Sequence, residues 1–313
     1  MRTEFKPVRI AVIGTLCWDR IIRPDKTVTE SFGGIAYTIL TLASLLESKA
    51  EIIPICNVGR DRYPEAISLL KKSPDINLAG LTKIKQKNNF VRLTYKNTQH
   101  RDEILEGGVP ALEFDQVKPF LEVDYLLANF ISGWDIELET LQKIRKKSKA
   151  EIYLDLHSLT LGIDDKGRRF SRNPQGWEEY VACADYLQLN QTEMETIFGH
   201  KLKEPELSQA AGKLLALGPE IVVVTLSDKG CLLTCRRSDK KAMTEKVRSK
   251  PVSPVLDTTG CGDVFGAGFL AKLIAAQDPV QAADFANYVA GLKATFSGLE
   301  GLSYFTPLDL EFA

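Results

Sequence analysis

The chain has 313 residues, Lys+Arg 40 against Asp+Glu 41, a formal net charge of -1 and 44% hydrophobic residues. A chain of this length buries a large core without staples, and its 26% charged residues exclude disorder and collagen-like repeats. The near-zero net charge argues against bulk electrostatic binding to nucleic acid or membrane.

No apolar run approaches the ~20 residues of a membrane helix. Residues 1–7 are polar and lead straight into a strand-like run, so no signal peptide is expected. The six cysteines are scattered, none forms a CxxC pair, and only three His are present, which argues against structural zinc. They read as reduced thiols of a cytoplasmic protein, several of them in the core.

In chain order, the first element is the apolar run 8–13, which ends at Gly14 and predicts a buried strand. Similar runs at 51–56, 125–128, 152–156, 186–189 and 221–226 predict further strands. Amphipathic stretches at 35–46, 63–71, 136–146, 206–217 and 264–276 predict the helices between them. Strand alternating with helix gives an α/β fold, a parallel sheet covered on both faces, with ligands at the carboxyl ends of the strands. Two stretches break the rhythm. Residues 19–32 are polar with no helical period. Residues 89–106 alternate apolar and polar, turn at 96–98 and alternate again, a hairpin with one solvated face. Together they predict a small β-sheet lid; ordinary edge strands are the plainer alternative. One domain over 1–313 is expected, with lid segments at about 17–32 and 89–107. The basic run 143–149 ends a predicted helix and reads as a solvated face. The basic stretch 236–250 reads as a solvent-facing hairpin.

The sharpest signal is Asp257-Thr-Thr-Gly260-Cys261-Gly262-Asp263-Val-Phe-Gly-Ala-Gly-Phe269. It follows a strand-like run at 252–256 and opens the helix 264–276. Gly260 and Gly262 allow a tight turn and close approach of a ligand. The unbonded N–H groups of the first helical turn make a seat for an anion such as a transferring phosphate. An Asp at this place ordinarily caps the helix. A cap alone does not account for Gly-Cys-Gly set between two Asp. A carboxylate beside a seated phosphate can take a proton from an attacking hydroxyl, and positioning plus charge neutralisation is most of what phosphoryl transfer needs.

This segment resembles the C-terminal signature of the ribokinase-like (PfkB) sugar and nucleoside kinases, with Cys261 where the family normally has Ala. No Walker GxxxxGK[ST] loop, protein-kinase motif set or GxGxxG turn after the first strand is present. The resemblance implies a doubly wound, mainly parallel sheet with helices on both faces and a small lid. It implies ATP-dependent phosphorylation of a hydroxyl on a small sugar or polyol, with Asp263 as general base and Gly260, Cys261 and Gly262 as anion hole. Asp19, in Gly14-Thr-Leu-Cys-Trp-Asp19, and the pair Gly33-Gly34 are then expected to bind the substrate. The following Ile35-Ala36-Tyr37-Thr38 departs from ribokinase and resembles divergent carbohydrate or polyol kinases.

Further along, Asn190-Gln-Thr-Glu193 resembles the family's Asn-x-x-Glu motif. It implies phosphates at Asn190 and Mg2+ held through water at Glu193; a capping box is the plainer reading of the same residues. The run 221–230 resembles the nucleotide-binding strand and turn, with Thr225, Ser227 in place of a common Gly, and Gly230 expected at the nucleotide. Asn287 is expected to flank it. Asp257, with the Thr259 carbonyl, is expected to help bind a monovalent cation such as K+. A homodimer through the lid is implied. The tail, 298–307, matches the family ending poorly. A nucleoside kinase, with apolar walls at Trp18, Phe32 and Phe90, and a non-catalytic nucleotide- or sugar-binding member are the alternatives. His157 is given no role, and Arg168 and Arg169 are expected to be solvated.

Overall fold

Val8–Ile13 has almost no polar side chain to keep it at the surface, and its last four residues are fully covered. It becomes β1, at the middle of the fold. In the computed structural model, which describes residues 6–96, 101–236 and 241–307, it is followed by β2 (Trp18–Ile22), β3 (Val28–Phe32), β4 (Ala50–Gly59) and β5 (Leu81–Ile84). Next come β6 (Phe90–Tyr95), β7 (Arg101–Glu106), β8 (Tyr125–Asn129), β9 (Glu151–Asp155), β10 (Leu161–Ile163) and β11 (Arg169–Ser171). The chain ends its strands with β12 (Tyr186–Asn190), β13 (Ile221–Thr225), β14 (Cys231–Arg236) and β15 (Ala242–Val247).

Among the described residues, one sheet runs in the order β15-β14-β13-β12-β9-β8-β1-β4-β5. It is parallel from β13 to β5, with β14 and β15 antiparallel at one edge. One core packs the helices Ile35–Leu45, Cys261–Ala276 and Pro279–Ala294 on one face. A second core packs Leu138–Lys147, Gln191–Phe198 and Glu204–Ala216 on the other. The strand order reverses between β1 and β8, so their carboxyl ends open the crevice where ligands bind on such sheets. All six cysteines are free thiols, and no helix among the described residues is long and apolar enough to cross a membrane.

The lid is a separate sheet, β3-β2-β6-β7. Side chains alternate along a strand, so paired residues share a face. Asp19 and Ile21 pair with Val91 and Leu93, which pair with Leu105 and Glu103. That inner face is buried with Cys17 against Ile131 and Trp134. Phe32 and Phe90 each pair with Trp18 in the alternate register, on the opposite face. The apolar side chains on the face that Asp19 shares are Ile21, Val91, Leu93 and Leu105. Trp18 sits edge-on to Phe32 at 5.2 Å and carries the Arg62 guanidinium 4.0 Å above its ring. The lid turn expected at 96–98 lies, beyond Lys96, outside the described residues.

One further expectation is corrected and one holds. Residues 252–256 form no strand, because Pro251 and Pro254 bring no N–H to a ladder. Leu256 and Asp257 instead donate their N–H groups to the Ala294 carbonyl, at the end of a helix. The basic stretch 236–250 contributes a hairpin strand, β15, that is mostly exposed as expected, paired with β14, which is buried through Cys235; residues 237–240 are outside the described set.

Candidate active site

The helix Cys261–Ala276 begins at Gly260, which has φ 81. A Cβ there would stand 2.5 Å from the Tyr37 ring, so only glycine lets the turn lie on that ring. The Cys261 amide donates to the Thr258 carbonyl at 3.3 Å. Gly262 belongs to the first turn, which has no carbonyl one turn back to receive its N–H. A Cβ on Gly262 would meet nothing within 4 Å, and the residue is exposed.

Asp263 is the third residue of the helix. Its carboxylate, 7% exposed, points to the end of β8, where Asn129 Nδ2 donates to Oδ1 at 2.6 Å. Asn129 pairs with Asp155 on β9. Burial pushes the Asp155 carboxyl well above its ordinary value, and the charges of Glu193 and Asp263 push it further. Burial also raises Glu193, with His157 opposing the shift and Asp263 adding to it. Three carboxylates thus converge beside the helix start. Gln188 links them to it: its Nε2 donates to Asp155 Oδ2 and to the Gly262 carbonyl, each at 3.0 Å, and its Oε1 accepts from Tyr153.

Asn129, Asp155 and Gln188 were missed in the sequence. They sit at or near strand ends, and that position is the one signal that marks them. His157, given no role, holds φ 31 and its ring contacts the Phe130 carbonyl and Ser158.

Asn190 and Glu193 form the capping box. Asn190 Oδ1 accepts from Glu193 N at 2.9 Å, and Glu193 accepts from Asn190 N at 2.8 Å. The capping box is therefore present, and it holds Glu193 where it feels the charge of Asp263.

On the lid side, Asp19 is 4% exposed and accepts from the Cys17 thiol at 3.1 Å. Burial and Asp19 together push that thiol up, so it stays protonated. A Cβ on Gly33 would lie 1.8 Å from Asp19 Oδ2. Gly34 has φ 59 and opens the helix Ile35–Leu45. Arg168 is exposed and pairs with Asp164, as expected. Arg169 is not solvated: its side chain is 3% exposed, 3.8 Å from Glu103 and over the Trp134 ring. β11 lies against the lid, and that packing covers it.

On the far side, Thr225 ends β13, Ser227 takes φ 59 and Gly230 takes φ 91. A Cβ on Gly230 would press on the Val247 carbonyl at 2.1 Å. Asn287 is buried and donates to that same carbonyl at 3.1 Å. It braces the strand behind the turn that the sequence expects it to flank.

Asp257 has its oxygens engaged within the chain. Oδ1 accepts from Thr259 N at 2.9 Å, and Oδ2 faces Arg23 of the lid at 3.4 Å. Its carbonyl accepts from Lys293 Nζ at 3.3 Å. This donor set does not fit the monovalent cation expected there. A second lid contact, Tyr95 to Thr259 at 2.8 Å between hydroxyls, lies alongside.

Known proteins share this arrangement. Residues 8–302 match the family described as pfkB family carbohydrate kinase. The cytidine kinase of Thermococcus kodakarensis is 25% identical over 270 residues, covering 84% of this chain and 87% of that protein. The ribokinase of Bacillus subtilis is 24% identical over 308 residues, covering 93% and 94%. A pyrophosphate-dependent kinase in the ribokinase family, solved as a sulfate complex, superposes with a TM-score of 0.77 at 18% identity, covering 97% of this chain and 100% of that one. The chain belongs to the pfkB family of carbohydrate kinases, and its activity is ATP-dependent phosphorylation of a sugar or polyol.

Proposed function

We propose that Asp263 accepts the proton of the acceptor hydroxyl while the amides at the start of its helix hold the moving phosphoryl group. The observation that carries this reading is the placement of the Asp263 carboxylate. It lies one residue from the exposed Gly262, and Asn129 at the end of β8 orients it. The acceptor oxygen bonds to the γ-phosphorus as the bond to the β-phosphate oxygen breaks; ADP leaves and Asp263 keeps the proton. Amide dipoles already aimed at the anion stabilise the developing charge without reorganising. Asp19, given room by Gly33, holds acceptor hydroxyls. The lid excludes water that would otherwise hydrolyse ATP.

Thr225, Ser227 and Gly230 form the turn proposed to meet the nucleotide, with Asn190 toward the phosphates. Asp155, Glu193 and Asp263 feel one another's charge, but among the described residues no cluster of three such side chains is placed to ligate a metal directly, so a Mg2+ ion would keep its waters and be held chiefly at Glu193. Mg2+ supplies charge neutralisation on the phosphates. Free thiols are consistent with a cytoplasmic enzyme, and a dimer would use the lid.

The test is ATP consumption against sugars, inositols and nucleosides, with and without Mg2+. Turnover on a sugar or polyol supports the reading. A nucleoside acceptor is the second reading, favoured by the likeness to a cytidine kinase, and preferential turnover of nucleosides would establish it.

A further inference from the structure

Lys293 lies in the last turn of the helix Pro279–Ala294 and is 0% exposed. A fully buried ammonium persists only where the fold matches its charge and its donors. Here Nζ donates to the Asp257 carbonyl at 3.3 Å and to the Phe296 carbonyl at 3.2 Å. It also stands 5.5 Å over the Tyr37 ring and 5.1 Å over the Phe296 ring. Tyr37 is the ring on which Gly260 rests. One ammonium therefore touches both ends of the turn 257–260, directly at Asp257 and through Tyr37 at Gly260.

Two resident cations face the carboxylates around the turn. Lys293 interacts with Asp257 and Asp263, and Arg23 is the other cation in the group. Burial lowers the lysine's pKa, and the two carboxylates oppose that shift. A further cation would meet two resident positive charges. It would also compete for oxygens of Asp257 that Arg23, Thr259 N and Lys293 already hold.

We infer that Lys293 is the built-in cation of the anion-binding turn, a positioning residue that takes the place of an exchangeable monovalent cation. The kinase then works without K+. The inference rests on the proposed role of this turn, but its structural half can be measured alone.

The experiment compares the full chain in KCl, NaCl and choline chloride at one ionic strength, reading both thermal unfolding and kcat. Wild type is expected to show the same Tm and kcat in all three. Lys293→Ala is expected to lose about tenfold in kcat, the size of one charge-assisted hydrogen bond. It leaves oxygens facing a small cavity, so K+ or methylammonium should restore both Tm and kcat while choline should not. A wild type whose Tm or kcat rises specifically with K+ overturns the inference. So does a Lys293→Ala protein with wild-type kcat in choline.

If no acceptor is phosphorylated, the proposed function fails. The Tm series still decides the cation question: a K+-specific rise in Lys293→Ala but not in wild type supports it. Should Lys293→Ala not fold, Lys293→Met fills the space without the charge, and the wild-type salt series decides by itself.

Discussion

Asn129 Nδ2 lies 2.6 Å from Asp263 Oδ1 across 134 positions of sequence. The end of a central strand thereby aims the carboxylate at the start of a late helix. Asp263→Asn keeps the shape and an acceptor for Asn129 but removes the base. The expected loss in kcat is about 10²–10⁴-fold, with nucleotide affinity retained. Calorimetric ATP binding alongside a coupled ADP assay checks it, and near-normal turnover would remove Asp263 from its role.

Asn129→Ala leaves the base present and loosens its aim. A hydrogen bond to a charged group contributes about 1.5–3 kcal/mol, so kcat should fall about 10- to 100-fold. The acceptor KM should change little, because Asp19 is untouched. Equal falls in kcat for Asn129→Ala and Asp263→Asn, with additive effects in the double mutant, would contradict positioning through Asp263.

Gly33→Ala sets a Cβ where Asp19 Oδ2 now lies, 1.8 Å away. The carboxylate must swing out of place. The acceptor KM should rise about tenfold or more while the ATP KM holds, as loss of a charge-assisted contact implies. Steady-state titration of each substrate separates the two.

The acidic cluster makes a pH prediction. The fold raises the Asp155 pKa, so the folded chain binds that proton more tightly than the unfolded one. This stabilisation is complete below the unfolded carboxylate value of about 4 and is lost as pH rises through the raised folded value. In ligand-free protein, Asp155→Asn should gain stability over wild type progressively from about pH 5 to 8, reaching about 2–4 °C in Tm. Calorimetry across that range tests it; a variant less stable than wild type at pH 8 would show that repulsion is not the governing force.

Arg23 and Tyr95 tie the lid to the turn through Asp257 and Thr259. The double substitution Arg23→Ala, Tyr95→Phe should raise the acceptor KM several-fold and increase ATP hydrolysis without acceptor, since closure keeps water out. Hydrolysis measured in the absence of sugar is the direct readout.

Much of the architecture was legible along the chain. Residues 8–13 are apolar enough to have one destination, a buried strand, and 89–106 alternate strictly enough to declare a half-exposed hairpin. The run 252–256 misled because its valines and leucine mimic a strand, while Pro254 within it and Pro251 just before it decide otherwise. Asn190 and Glu193 were legible because their contacts are local, three residues apart.

What lay beyond the sequence are the contacts between distant segments: Asn129 on Asp263, Gln188 on Gly262, Arg169 under the lid and Lys293 on Asp257. Short-range patterns of polarity and backbone preference determined the strands, the lid and the glycine-rich helix start. Which side chains meet there was decided by the tertiary structure alone. A lone Asn or Lys carries no periodicity, and its partner is chosen only when packed strands and helices bring far segments within hydrogen-bond reach.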